Sequence, residues 1–150
     1  MQLNTYPLLK NEDLKSYYFW STGPNGTIKK VIVFQLVDPE QALYNLAFGD
    51  LFEGAEILND LVITNNGDTR VVLATVGKAV VEFLEDFPNA TIVAVGSTPV
   101  RTRLYQINIS RFINEILQEF VVEGYFDGSW ELFEGNTNYD AFMLKKKRLN

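Results

Sequence analysis

Apolar side chains recur along this chain with two different periods, and the switches between them divide it into elements. Residues 28–36 alternate, with Ile28, Lys30, Ile32 and Phe34 on one face and Lys29, Val31, Val33 and Gln35 on the other. Both faces turn apolar toward the middle, which predicts an interior strand covered on at least one side. Residues 17–21 form a second β-rich run, and Thr22-Gly23-Pro24-Asn25-Gly26 between the two carries the Gly-Pro and Asn-Gly pairs of a hairpin turn. Strands at 43–48 and 61–63 follow, with an acidic connection at 49–59 read as a surface loop. The period then changes. Val72, Val76, Ala79, Val80, Phe83, Leu84 and Phe87 recur at steps of three and four, predicting a helix with Asp68 suited to its N-cap and Asp86-Phe87-Pro88-Asn89 at its end.

The remainder reads as strand, helix and three strands. Ile92, Val93 and Val95 mark a short buried strand at 91–95. Gly96-Ser97-Thr98-Pro99 then combines a flexible residue, two candidate N-caps and a proline suited to the first helical position, predicting a strand-to-helix junction. The second helix carries Val100, Leu104 and Ile107 on one face, and its phase slips at Asn108-Ile109-Ser110, so a kink or short break is expected there. Runs at 120–126 and 129–133, joined by an Asp127-Gly128 pair that favours a type I′ turn, and a last run at 139–144 predict a three-stranded meander. The expected fold is one α+β domain over residues 1–150: a mainly antiparallel twisted sheet with two helices packed on one face, in the order β-β-β-(β)-α-β-α-β-β-β, with frayed N-terminal residues and a basic C-terminal tail.

Composition narrows the chemistry. The 150 residues hold no Cys and no His, which excludes a cysteine nucleophile, a Ser-His-Asp triad and a His or Cys zinc site. No spaced carboxylate signature for a metal is present, so neither metal nor cofactor is expected. With 13 Lys+Arg against 19 Asp+Glu the net charge is −6. Seven acids and no basic residue lie between Lys30 and Arg70, and the same holds between Phe112 and Leu144. Such a surface repels phosphate, so general nucleic-acid binding is disfavoured. The basic run Lys145, Lys146, Lys147 and Arg148 reads as a solvated chain end. There is no run of apolar residues long enough for a membrane span and no apolar block of a signal peptide near the N-terminus, so a cytoplasmic location is expected.

Several segments, Tyr44-Asn45-Leu46-Ala47-Phe48-Gly49-Asp50, Val62-Ile63-Thr64-Asn65-Asn66-Gly67-Asp68, Val71-Leu73-Ala74-Thr75-Val76 and Gly96-Ser97-Thr98-Pro99 with Arg101-Thr102-Arg103-Leu104-Tyr105, together resemble a family of uncharacterised bacterial proteins of about this length. The resemblance implies a bacterial, intracellular, single-domain protein. It brings no activity, cofactor or catalytic residue with it.

The candidate site is therefore built from the residues themselves. A helix N-terminus presents unpaired amide groups and a partial positive charge to an anion. At residues 96–105, Ser97 and Thr98 add hydroxyls, Arg101 and Arg103 add guanidinium groups that oppose the helix dipole unless an anion answers them, and Tyr105 shares a helix side with Arg101 and Asn108. The competing reading is an ordinary cap whose arginines pair with nearby acids. Three functions are weighed, in this order. The first is a non-enzymatic protein holding an anionic small molecule or an acidic protein partner at Ser97, Thr98, Arg101, Arg103 and Tyr105, with a homodimer through the sheet as a further option. The second is a histidine-free enzyme acting on phosphate esters through Asp50, Asp68, Arg101 and Tyr105, which requires those four in one cleft. The third is a single-stranded nucleic-acid binder using the consecutive aromatics Tyr17, Tyr18, Phe19 and Trp20 and the basic tail.

Overall fold

The computed structural model describes residues 4–51, 65–96 and 98–148. It is an α+β fold with mostly antiparallel strands and three helices among the described residues, in the order β-β-β-β-α-β-α-α-β-β-β. The strands are β1 (Leu9–Lys10), β2 (Ser16–Gly23), β3 (Gly26–Asp38), β4 (Leu43–Asp50), β5 (Thr91–Ala94), β6 (Phe120–Phe126), β7 (Ser129–Leu132) and β8 (Ala141–Lys146). The helices are α1 (Thr69–Asp86), α2 (Pro99–Arg111) and α3 (Ile113–Glu119). The strand expected at 61–63 lies outside the described residues. No described helix is long and apolar enough to cross a membrane.

The chain divides into two compact units, one of Met1–Gln35 and Leu46–Asp86, the other of Leu36–Asn45 and Phe87–Asn150. In the first, β2 and β3 pair from Ser16↔Val33 to Gly23↔Gly26, closing the hairpin with a two-residue turn at Pro24 and Asn25. Gly26 stands at φ 87°, a conformation glycine adopts without penalty. Consecutive strand residues alternate faces, and in the aromatic run Tyr17 and Phe19 are fully buried, whereas Trp20 on the opposite face is exposed and has the Lys29 ammonium over its ring. On the buried side α1 lays down the expected stripe, with Phe83 stacked on Phe34 at 4.2 Å and Tyr17 set edge-on to Phe34. Phe87, the last residue of the predicted stripe, instead lies past the helix end against Tyr44 in the second unit.

The N-terminal segment, expected to fray, is held from Tyr6 onward. Its amide donates to Thr75 Oγ1 on α1, and β1, a short strand that the sequence pattern did not announce, pairs with β2. Lys10 then bonds Asp86 at 2.7 Å.

In the second unit the order is β5-β8-β6-β7. Asp127 and Gly128 both have positive φ, as a type I′ hairpin demands, and join β6 to β7 as predicted. The meander is corrected: β8 pairs with β5 and with the other edge of β6, never with β7. The connection at 133–140 folds back over β6, where the Tyr139 ring occupies the space a Cβ on Gly124 would need, 2.3 Å away. Two of the four basic residues expected in a loose tail, Lys145 and Lys146, are strand residues of β8, and the Lys147 amide bonds Glu119 O.

The second predicted helix is two helices, broken at Phe112, a little beyond the slip seen at 108–110. Its orientation also overturns the periodicity. Val100 and Ile107, placed on the apolar face, are 70% and 44% exposed, while the buried residues of α2 are Thr102 and Gln106. The apolar contrast around this helix is weak, so hydrogen bonds rather than hydrophobic area choose which side turns inward.

Candidate functional site

The β5-to-α2 junction is a compact set of local bonds. Thr98 is the N-cap, extended at φ −136° and ψ 160°, and its side chain accepts from the Arg101 amide at 3.3 Å. Pro99 fills the first helical position, where a missing N–H costs nothing. Thr102 Oγ1 donates to Thr98 O and accepts from the Gly96 amide at 3.1 Å. That approach explains the glycine, because a Cβ on Gly96 would fall 2.3 Å from the Thr102 amide nitrogen. The junction therefore uses most of its own donors: Pro99 has none, the Arg101 amide is capped and the Thr102 amide bonds Thr98 O. The anion-receiving power expected of these amides is largely spent within the chain.

One turn further along α2, Gln106 anchors the opposite wall. Its amide nitrogen donates to Thr137 O at 2.5 Å and its oxygen accepts from the Tyr139 amide at 3.1 Å, so both ends of a side chain only 4% exposed are matched. The same turn places Asn138, whose Oδ1 accepts from the Arg103 guanidinium. Tyr139 is buried beside it, donating its hydroxyl to Glu131 and accepting from the Glu134 amide. Burial raises its phenol above the ordinary tyrosine range.

Between α2 and this turn opens a cleft of about 670 Å³, a size typical of small-molecule sites. Its apolar lining includes Val95, Pro99, Val100 and Leu104. Charge enters from two directions, Arg103 on the helix and Asp140 after the turn.

Of the five residues proposed from sequence, Thr98 and Arg103 line this cleft. Ser97 lies outside the described residues. Arg101 and Tyr105 are together, as their helical spacing predicts, but not among the lining residues. Burial pushes the Tyr105 phenol up to about 12, and the Arg101 charge pulls it the other way. Gln106, Asn138 and Asp140 were not anticipated. Only the turn-forming composition of 134–140 signalled them, and nothing in that signal tied the turn to α2.

The carboxylates proposed for catalysis are engaged elsewhere. Asp50 is 4% exposed and bonds Lys30, itself fully buried, at 2.5 Å. Asp68 occupies the position preceding α1, where its backbone carbonyl accepts from the Val72 amide, and its carboxylate accepts from Tyr6 and Ser21, each at 2.5 Å. Ser21 in turn accepts from Asn66, whose amide also donates to Gly26 O and accepts from the Asn25 amide. Among the described residues no group of three or more Asp or Glu side chains could hold a metal ion.

Strand order, helices and cleft define an α+β protein with a small-molecule-sized hollow built by α2 and the turn before β8. The chain belongs to the family of unknown function DUF6934, whose profile matches residues 2–147. No curated protein and no solved structure matches it.

Proposed function

We propose that this protein binds a small, partly apolar molecule in the α2 cleft, holding an anionic group of that molecule on Arg103. One observation carries the reading: Arg103 lines the cleft and its guanidinium bonds the neutral side chain of Asn138, and among the described residues no carboxylate pairs with it. A guanidinium has five N–H donors and Asn138 takes one direction, leaving a fork suited to a carboxylate or phosphate oxygen pair. Val100 and Val95, 70% and 49% exposed at the cleft, supply apolar surface that a bound molecule would cover. Among the described residues of the cleft no nucleophile stands beside a base, which favours binding over catalysis.

The test is calorimetric titration with N-acetyl-Leu-Leu, an anion with an apolar body. Saturable binding that weakens with added salt and is lost in Arg103→Ala is the expected result. Equal binding by Arg103→Ala, or no binding to the native protein, overturns the reading.

A further inference from the structure

The cleft presents two opposite charges that do not meet. Arg103 and Asp140 both line it, yet they form no ion pair with each other. The Asp140 side chain is exposed and has no hydrogen-bond partner among the described residues, while its backbone is fixed by the amide bond to Tyr125 O at 2.9 Å. Arg103 is likewise held back, by its bond to Asn138. The turn that carries Asn138 and Asp140 is tied to α2 through Gln106, which bonds Thr137 and Tyr139 on either side of Asn138. The two residues thus belong to one frame, and both line a hollow whose walls are largely apolar.

Resting on the binding reading above, we infer that the ligand is a zwitterion of the amino-acid or short-peptide class. Its carboxylate meets Arg103, its ammonium meets Asp140, and its apolar side chains cover Val100 and Val95. A ligand with only an anionic end leaves Asp140 facing the cleft without a counter-charge, and repels it at short range. A ligand with both ends answers each group with a charge-assisted hydrogen bond. The acidic character of the chain fits this choice, because a purely anionic ligand must approach against the net charge of −6 whereas a zwitterion does not.

The experiment compares Leu-Leu, N-acetyl-Leu-Leu and Leu-Leu-amide by calorimetry on the native protein, Asp140→Asn and Arg103→Ala. Leu-Leu is expected to bind about tenfold more tightly than either capped peptide, the worth of one charge-assisted contact. Asp140→Asn should bring Leu-Leu to parity with N-acetyl-Leu-Leu, and Arg103→Ala should bring it to parity with Leu-Leu-amide. If N-acetyl-Leu-Leu binds as tightly as Leu-Leu to the native protein, the zwitterion assignment falls while the anionic reading stands. A preference for Leu-Leu that survives Asp140→Asn overturns the role of Asp140. If no peptide binds, both readings fall together. Thermal melts of the two variants, both changed at exposed side chains, confirm that each remains folded.

Discussion

The two units treat polar groups in opposite ways. In the first, buried charge is matched internally: Lys30 answers Asp50 in the core, and Tyr6, Ser21 and Asn66 close a network around Asp68. In the second, the interior of α2 is matched just as fully through Thr102 and Gln106, but the groups at its rim, Arg103 and Asp140, stop short of one another. The difference separates two uses of charge. A pair sealed from water with its complement beside it organises the fold. Charged residues that line a cleft without pairing with each other are the basis of the binding proposal.

The largest effect should come from breaking the sealed pair. Removing one partner of a buried ion pair strands the other, so Lys30→Met is expected to lower unfolding free energy by about 3–5 kcal/mol, measured by urea denaturation. The double variant Lys30→Met with Asp50→Leu should recover much of that loss. A single-variant loss well below 1 kcal/mol would mean that the first unit's charges matter no more than surface ones.

An intermediate effect concerns alkaline pH. Burial raises the phenols of Tyr17 and Tyr105 above the ordinary value near 10, to about 12 for Tyr105. The folded chain then holds these protons where the unfolded chain releases them. Stability is therefore unaffected by these groups below pH 10 and declines as pH climbs from 10 through 12. Tyr17→Phe and Tyr105→Phe should each flatten that decline in pH-resolved chemical melts. Tyr17 has a second signature, because its hydroxyl is buried without a hydrogen-bond partner among the described residues, so phenylalanine there should cost little or nothing at neutral pH. An unchanged alkaline slope in both variants would show that other groups govern it.

The smallest effect should be that of Arg103→Ala on stability, within about 0.5 kcal/mol by the same urea measurement, because the side chain is exposed. A loss as large as that of Lys30→Met would make Arg103 another structural charge and erase the contrast between the units.

The elements best read from sequence were those with strong local chemistry. The Pro24–Asn25 hairpin, the Asp127-Gly128 turn, the α1 stripe and the Thr98-Pro99 helix start all follow from residues adjacent in the chain. Lys30 was visible as a cation sharing a face with Ile28, Ile32 and Phe34, and its burial follows from that alternation. Its partner Asp50 was not visible, since the pairing spans twenty residues. The orientation of α2 was misjudged for a related reason. Periodicity weighs side chains by hydrophobicity, and here Gln106 is drawn inward by Thr137 and Tyr139 on the distant turn, while Thr102 bonds the nearby Gly96 amide and Thr98 carbonyl. The position of β8 beside β6 likewise depends on Tyr139 meeting Gly124, a contact between residues fifteen apart that no local pattern reports. Half of the cleft could be foreseen from the helix start, and the half supplied by the turn could not.

Seating α2 by directional bonds fixes its angular setting more firmly than greasy side chains would. A slab of leucines tolerates sliding and rolling, whereas turning this helix by one residue would orphan both ends of Gln106 at once. Arg103 inherits its aim from that constraint. The cleft wall thus takes its shape from bonds made by Gln106 and Thr102, one turn apart on the helix, while Arg103, between them in the chain, lines the same cleft.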